Sequence, residues 1–272
     1  MFGNLFGGKK PTAKPDQPKE TPPDEGPRQV SLGGRHPWDG APDAVGANFA
    51  VADLINNLPR RFTIDGRIHA ETLLAASGAV AGYAAQRALF AQLAVDGVAA
   101  ESSGLIIANT KDGRRRLMGD RLNAMLLPQC SSVTEAAEKL WPLAQGAAVS
   151  TGLDASRMPD VRPMFAHVVG TIGGEREGTT SVPNRQFQLP TLELLKIAWP
   201  LALTCFNGEL SGKVLKPPVI VSQHWWPAIT AITANKMMRD VAGILPPLDA
   251  LTIVMETAIY ASKIMPEEVG TA

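Results

Sequence analysis

His69, Ala70 and Glu71 form an H-x-E triplet, the spacing at which zinc-dependent deamination sets a histidine ligand beside a general acid–base glutamate. That chemistry has a second half, P-C-x-x-C, whose two thiolates complete the metal site. The nearest counterpart here is Pro128-Gln129-Cys130-Ser131-Ser132-Val133. One residue intervenes after the proline and the second cysteine is missing. A catalytic zinc needs three protein ligands, and the spacings of His36, His167 and His224 supply none. The triplet therefore reads as a polar pair at a helix N-terminus, where the helix dipole favours Glu71. No metal and no cofactor is expected.

Other stretches fall short of a mechanism. Gly208 to Val214, GELSGKV, is one residue short of a phosphate-binding GxxxxGK and lacks the Ser or Thr that must follow. Neither a GxSxG elbow nor a GxGxxG fingerprint occurs. Cys205 lies in the apolar run ALTCFNG and reads as a buried structural thiol. Arg114, Arg115 and Arg116 are consecutive, so strand alternation sends the middle one to the opposite face. An exposed edge strand kept from aggregating by its charge explains them. The loop Gly173 to Gly178, GGEREG, fits either a solvated turn or a lid. Trp225 and Trp226, preceded by His224, cannot both point the same way. One belongs to the core, and the other is available to a pocket or interface, where tryptophan is enriched.

The bulk numbers exclude several classes. The 272 residues carry 26 Lys plus Arg and 26 Asp plus Glu, which gives no general attraction to nucleic acid or anionic membrane. Two cysteines without CxxC spacing suit a reducing compartment. The N-terminus lacks the basic, apolar and small-residue order of a secretory signal. The longest charge-free run, 217–235, is broken by three prolines and does not make a membrane span. A cytoplasmic protein without an integral membrane segment is expected.

The elements that must position these residues follow from periodicity. Residues 9–29 hold six prolines and nine charges and no large apolar side chain, so a disordered arm is expected over residues 1–44. Its tip places Phe2, Leu5 and Phe6 at helical spacing, as a docking peptide would. One domain is expected over 45–268. Within it, a helix over 47–58 ends at Pro59, and a long central helix runs from about Ile68 to Val95. Gly78 and Gly82 lie four apart on that helix and call for close backbone approach by a second element. Residues 105–118 read as a hairpin turning at Asp112-Gly113. A helix follows over 120–127, and Ser132 to Glu135 reads as a capping box opening a helix that Pro142 kinks or ends. Residues 163–172 alternate loosely, as a strand returning at 185–189 would, and a helix fits them too. Helices are expected over 190–206, 227–242 and 247–264.

The expected class is α+β, predominantly α-helical, with a helical core and one or two edge β-hairpins. The leading functional expectation is an interaction or assembly module. Its folded part would pack on a protein partner or a second copy, while Phe2, Leu5 and Phe6 tether and Trp225 or Trp226 contributes to the interface. The alternative is a small-molecule enzyme or binding protein with a pocket near His69, Glu71 and His224.

Overall fold

From Thr72 to Gln86 the chain carries no charge, and every one of these residues is buried. The computed structural model describes residues 36–127, 139–214 and 216–270. The expected tip residues Phe2, Leu5 and Phe6, Cys130 and the capping box at 132–135 lie outside them. Helix α1 is Ala44–Arg61, followed by the short strands β1 (Thr63–Ile64) and β2 (Arg67–Ile68) and then α2 (Ala70–Val95). Strands β3 (Ile106–Asn109) and β4 (Arg115–Met118) lead into α3 (Asp120–Leu126). After them come α4 (Leu140–Ser150), α5 (Arg162–Thr171), α6 (Thr191–Phe206), α7 (Trp226–Asp240), α8 (Pro247–Ala261) and the single turn α9 (Pro266–Val269). The architecture is α+β and predominantly helical, with two small antiparallel sheets of two strands each.

Helix α2 packs against α6, α7 and α8. Its glycines set the crossing with α8. A Cβ on Gly82 would sit 2.0 Å from the carbonyl oxygen of Ala258, and one on Gly78 would sit 2.2 Å from Oγ1 of Thr257. The interior of α2 accepts the backbone cost of two glycines because the helices come into close contact there. Beyond the crossing, the Gln86 amide donates to the carbonyls of Ser262 (2.8 Å) and Ile264 (2.7 Å) and so holds the chain leaving α8. On the α6 and α7 side the core is aromatic. Tyr83 meets Trp199 edge-on at 4.6 Å, and Phe206 stacks on Trp226 at 4.5 Å. Ahead of α1, Trp38 is buried and donates to Asn48 at 2.9 Å.

Several boundaries differ from the sequence reading, each for a local reason. Helix α1 continues through Pro59 to Arg61. A proline in the last turn forfeits a single amide bond, and Thr63 Oγ1 donates to the Pro59 carbonyl at 2.9 Å. Pro142 sits in the first turn of α4, where amides lack intrahelical acceptors anyway, so it neither kinks nor ends the helix. Residues 162–171 are a helix and not a strand: Met164 and Val168, four apart, are its buried positions against α8. No return strand forms at 185–189, and residues 172–190 run as irregular turns.

The hairpin missing there is found instead at β1–β2. Asp65 and Gly66 both take positive φ (50° and 72°), the requirement of a tight two-residue turn. The β3–β4 hairpin pairs Ile107 with Leu117 and Asn109 with Arg115. Its arginine strand is not the open edge. Leu117 N–H donates to the Lys263 carbonyl at 2.8 Å and Arg116 bridges Ile264, so β4 lies inside and β3 outside. Among the described residues no helix is long and apolar enough to cross a membrane.

Candidate functional site

The H-x-E triplet opens α2, with His69 as the residue before its first turn. His69 Nδ1 lies 2.8 Å from Thr72 Oγ1, and its Nε2 lies 3.5 Å from Glu71. Nδ1 is thus within hydrogen-bond distance of the Thr72 hydroxyl, and Nε2 faces the carboxylate. Thr72 Oγ1 also accepts the Gln188 backbone N–H at 3.0 Å. Glu71 accepts from Arg185 at 3.1 Å, and Arg185 reaches on to Asp249 at 3.1 Å in the first turn of α8. The triplet thus grips residues 185–188 from one side while α8 grips them from the other. Among the described residues no three His, Cys, Asp or Glu side chains group as a metal site would require.

What the triplet grips is one wall of a cavity. Residues 175–190 curl around a space of about 520 Å³. Two buried carboxylates hold this strap to the body. Glu177 accepts two bonds from the fully buried Arg116 (2.6 and 2.8 Å), one from Arg114 (2.5 Å) and one from the Gly173 amide (2.9 Å). Glu256, on α8, accepts from Thr180 Oγ1 (2.7 Å) and from the Ser181 amide (2.7 Å) and hydroxyl (2.5 Å). Each anion is thereby satisfied by several donors, the condition under which a buried charge is tolerated. Burial and the neighbouring Glu177 charge push the Tyr260 hydroxyl above its ordinary pKa, so the phenol stays neutral beside the ion cluster. Arg114 and Arg116 share the Glu177 face while Arg115 points to solvent and pairs with Glu267, as strand alternation required. The residues that line the cavity include Thr179, Asn184, Arg185, Gln186, Phe187 and Gln188, and of these Arg185 is already paired with Glu71 and Asp249.

His224 lies apart from this assembly. Its ring packs at 4.1 Å on Trp225, whose Nε1 donates to Asp43 at 3.2 Å. Asp43 also accepts the Ser222 amide at 2.8 Å. Partial burial raises its pKa, yet these bonds outweigh that and hold it below the usual carboxylate range. None of these groups touches His69, Glu71 or Arg185. The two tryptophans diverge as their adjacency demands. Trp226 is buried on Phe206, while Trp225 is half-buried against the edge of Trp38. Cys205 is buried, and burial pushes its thiol pKa up, so it stays protonated and inert.

Two functional candidates escaped the sequence reading. Glu177 stood in a charged loop that looked solvated. Lys263 is 2 % exposed, with its amine 3.3 Å from Asn123 Oδ1 and 5.7 Å from the centre of the Phe165 ring. A signal for it exists: between Glu256 and Glu267 it is the one charge in a mostly apolar run. No family model matches the chain, and no curated protein or solved structure matches it.

Proposed function

We propose that the chain is a small-molecule-binding protein whose ligand lies in the open cavity lined by residues 175–190. The observation that carries this reading is the cavity with its fastened wall. A space of about 520 Å³ falls within the range of small-ligand sites, and its wall is tied down at Glu177, Glu256 and Arg185 before any ligand arrives. The lining suits a small polar ligand with one flat apolar part, with Arg185 and the Asn184, Gln186 and Gln188 amides for its polar groups and Phe187 for its apolar face. His69 and Glu71 position the wall through Thr72 and Arg185 and do not contact the ligand.

The test is a thermal-shift and ligand-observed NMR screen of small polar compounds against the full chain. A hit is expected whose affinity falls tenfold or more in Arg185→Met while circular dichroism is unchanged. Hits that ignore both Arg185→Met and Phe187→Ala, or the absence of any hit, would overturn the reading.

One observation favours the interaction reading as well. Ile106 and Ile107, 63 % and 46 % exposed, stand on β3, whose outer edge no described strand covers. The strand IIAN carries no charge, so a second copy pairing antiparallel along it would meet no repulsion. Light scattering of the wild type and of Ile106→Lys at rising concentration tests this. A wild-type monomer throughout the range refutes it.

A further inference from the structure

We propose that a second cavity, between α3 and α5, is an amine-nucleophile site in which Lys263 captures the carbonyl carbon of a small aldehyde or ketone as an imine. This rests on observations separate from the 175–190 cavity and stands or falls without it.

Lys263 follows the last turn of α8, and its side chain is almost wholly enclosed. A buried ammonium is normally matched by a carboxylate, because an uncompensated charge in the interior is costly. Among the described residues Lys263 has no such match. Its amine meets the neutral carboxamide of Asn123, on α3, and the face of Phe165, on α5. The neighbouring charges are otherwise engaged or out of reach. Arg116 pairs with Glu177 and Glu268, Arg162 pairs with Asp160, and Asp120 shares the neighbouring cavity without forming an ion pair with Lys263. A methionine would fill the same space at lower electrostatic cost, so the amine asks for a chemical use.

The cavity supplies one. Asn123 and Phe165, the two groups in contact with the amine, both line a space of about 450 Å³ that Asp120 and Arg162 also line. They stand between Nζ and that space, which Lys263 itself does not line, so the capture requires the Asn123 carboxamide to turn aside. Burial lowers the Lys263 pKa to about 8. About a tenth of the amine is then neutral near pH 7, against well under a thousandth for an ordinary lysine. Neutral amine next to a ligand-sized space is the setting in which a lysine acts as a nucleophile.

The step balances without any oxidant or reductant. The Nζ lone pair adds to the carbonyl carbon, and the C=O π pair moves to oxygen, which takes a proton. The carbinolamine then loses that oxygen as water while nitrogen sheds its protons and C=N forms. Asp120 stands on the cavity wall as the carboxylate available to carry protons, and Arg162, on the same wall, would exchange its pairing with Asp160 for a ligand carboxylate. A small 2-oxo acid is therefore the first ligand class to try.

The experiment treats the full chain with pyruvate and, separately, with propionaldehyde, traps imines with sodium cyanoborohydride, and maps the modified lysines by mass spectrometry. The expected result is reductive labelling at Lys263 with at least one probe, at ten times or more the level at any exposed lysine such as Lys111 or Lys196. Labelling spread over exposed lysines with Lys263 unmodified overturns the proposal, as does no labelling at all. Wild-type mapping decides the matter even if Lys263→Arg fails to fold. If it folds, the variant must lose the selective adduct.

Discussion

Replacing Lys263 by methionine removes the amine and keeps a side chain of similar length, so the variant isolates the cost of the buried charge. Burial lowers the folded-state pKa from 10.5 to about 8. Below pH 8 both folded and unfolded chains carry the proton, and the folded state bears the full penalty. Between about 8 and 10.5 the unfolded chain binds more protons than the folded one, so wild-type stability rises with pH across that window. A difference of two and a half pKa units corresponds to about 3 kcal/mol. Relative to Lys263→Met, the wild type should therefore gain about 2 kcal/mol between pH 7 and pH 9.5. Tyr83 and Tyr260, both shifted upward, are common to the two proteins and cancel in the difference. The lost Asn123 contact shifts that difference by a constant, so its slope with pH is the quantity to read. Urea unfolding of both proteins at fixed ionic strength, every half pH unit, measures it. A difference that stays flat from pH 7 to 9.5 would show that Lys263 titrates as a solvated lysine and that its burial is misread.

The remaining expectations concern the frame around the two cavities. Gly82→Ala should cost about 3 kcal/mol or prevent folding, since the new methyl meets the Ala258 carbonyl; a urea midpoint equal to wild type would refute the close crossing. Arg116→Ala should destabilise by about 3–5 kcal/mol, because it takes two of the four bonds from buried Glu177 and the partner from Glu268, while Arg116→Met with Glu177→Leu recovers most of that loss. Calorimetric melts of both proteins check the pair, and a double variant no better than the single one counts against it. Glu71→Gln should speed amide exchange at residues 181–189 several-fold while moving the melting point by no more than about 3 °C, because its pair with Arg185 is partly exposed. Exchange unchanged there would mean that the triplet does not hold the strap.

Much of the frame could be read before the structure, because its signals are local. The charge-free stretch 72–86 announced a buried helix, Asp112-Gly113 announced a hairpin, and Gly78 with Gly82 announced a helix crossing. The misreadings arose where one local pattern fits two structures. Residues 163–172 alternate loosely and also place Met164 and Val168 on one helical face, and only the α8 surface beneath them selects the helix. Prolines 59 and 142 look like breakers until their position within the turn is known. The candidate sites were harder still, since their chemistry is assembled from distant segments. Glu177 becomes a buried anchor because Arg116, 61 residues earlier, turns inward. Lys263 becomes a buried amine because α3 and α5 close over it. His69 and Glu71 were conspicuous, yet their partners Arg185 and Asp249 carry no mark that links them to the triplet.

The Gln86 bonds to Ser262 and Ile264 span 176 and 178 residues of chain, and the glycine crossing joins equally remote helices. Synthesis proceeds from the N-terminus, so α2 leaves the ribosome long before the helix that covers it exists. Its apolar surface must wait while about 150 more residues are made, a period in which exposed helices of this kind are prone to aggregate or to be held by chaperones. The core closes only when α8 arrives. Losing α8 and the residues after it would uncover the middle of the molecule rather than trim its edge.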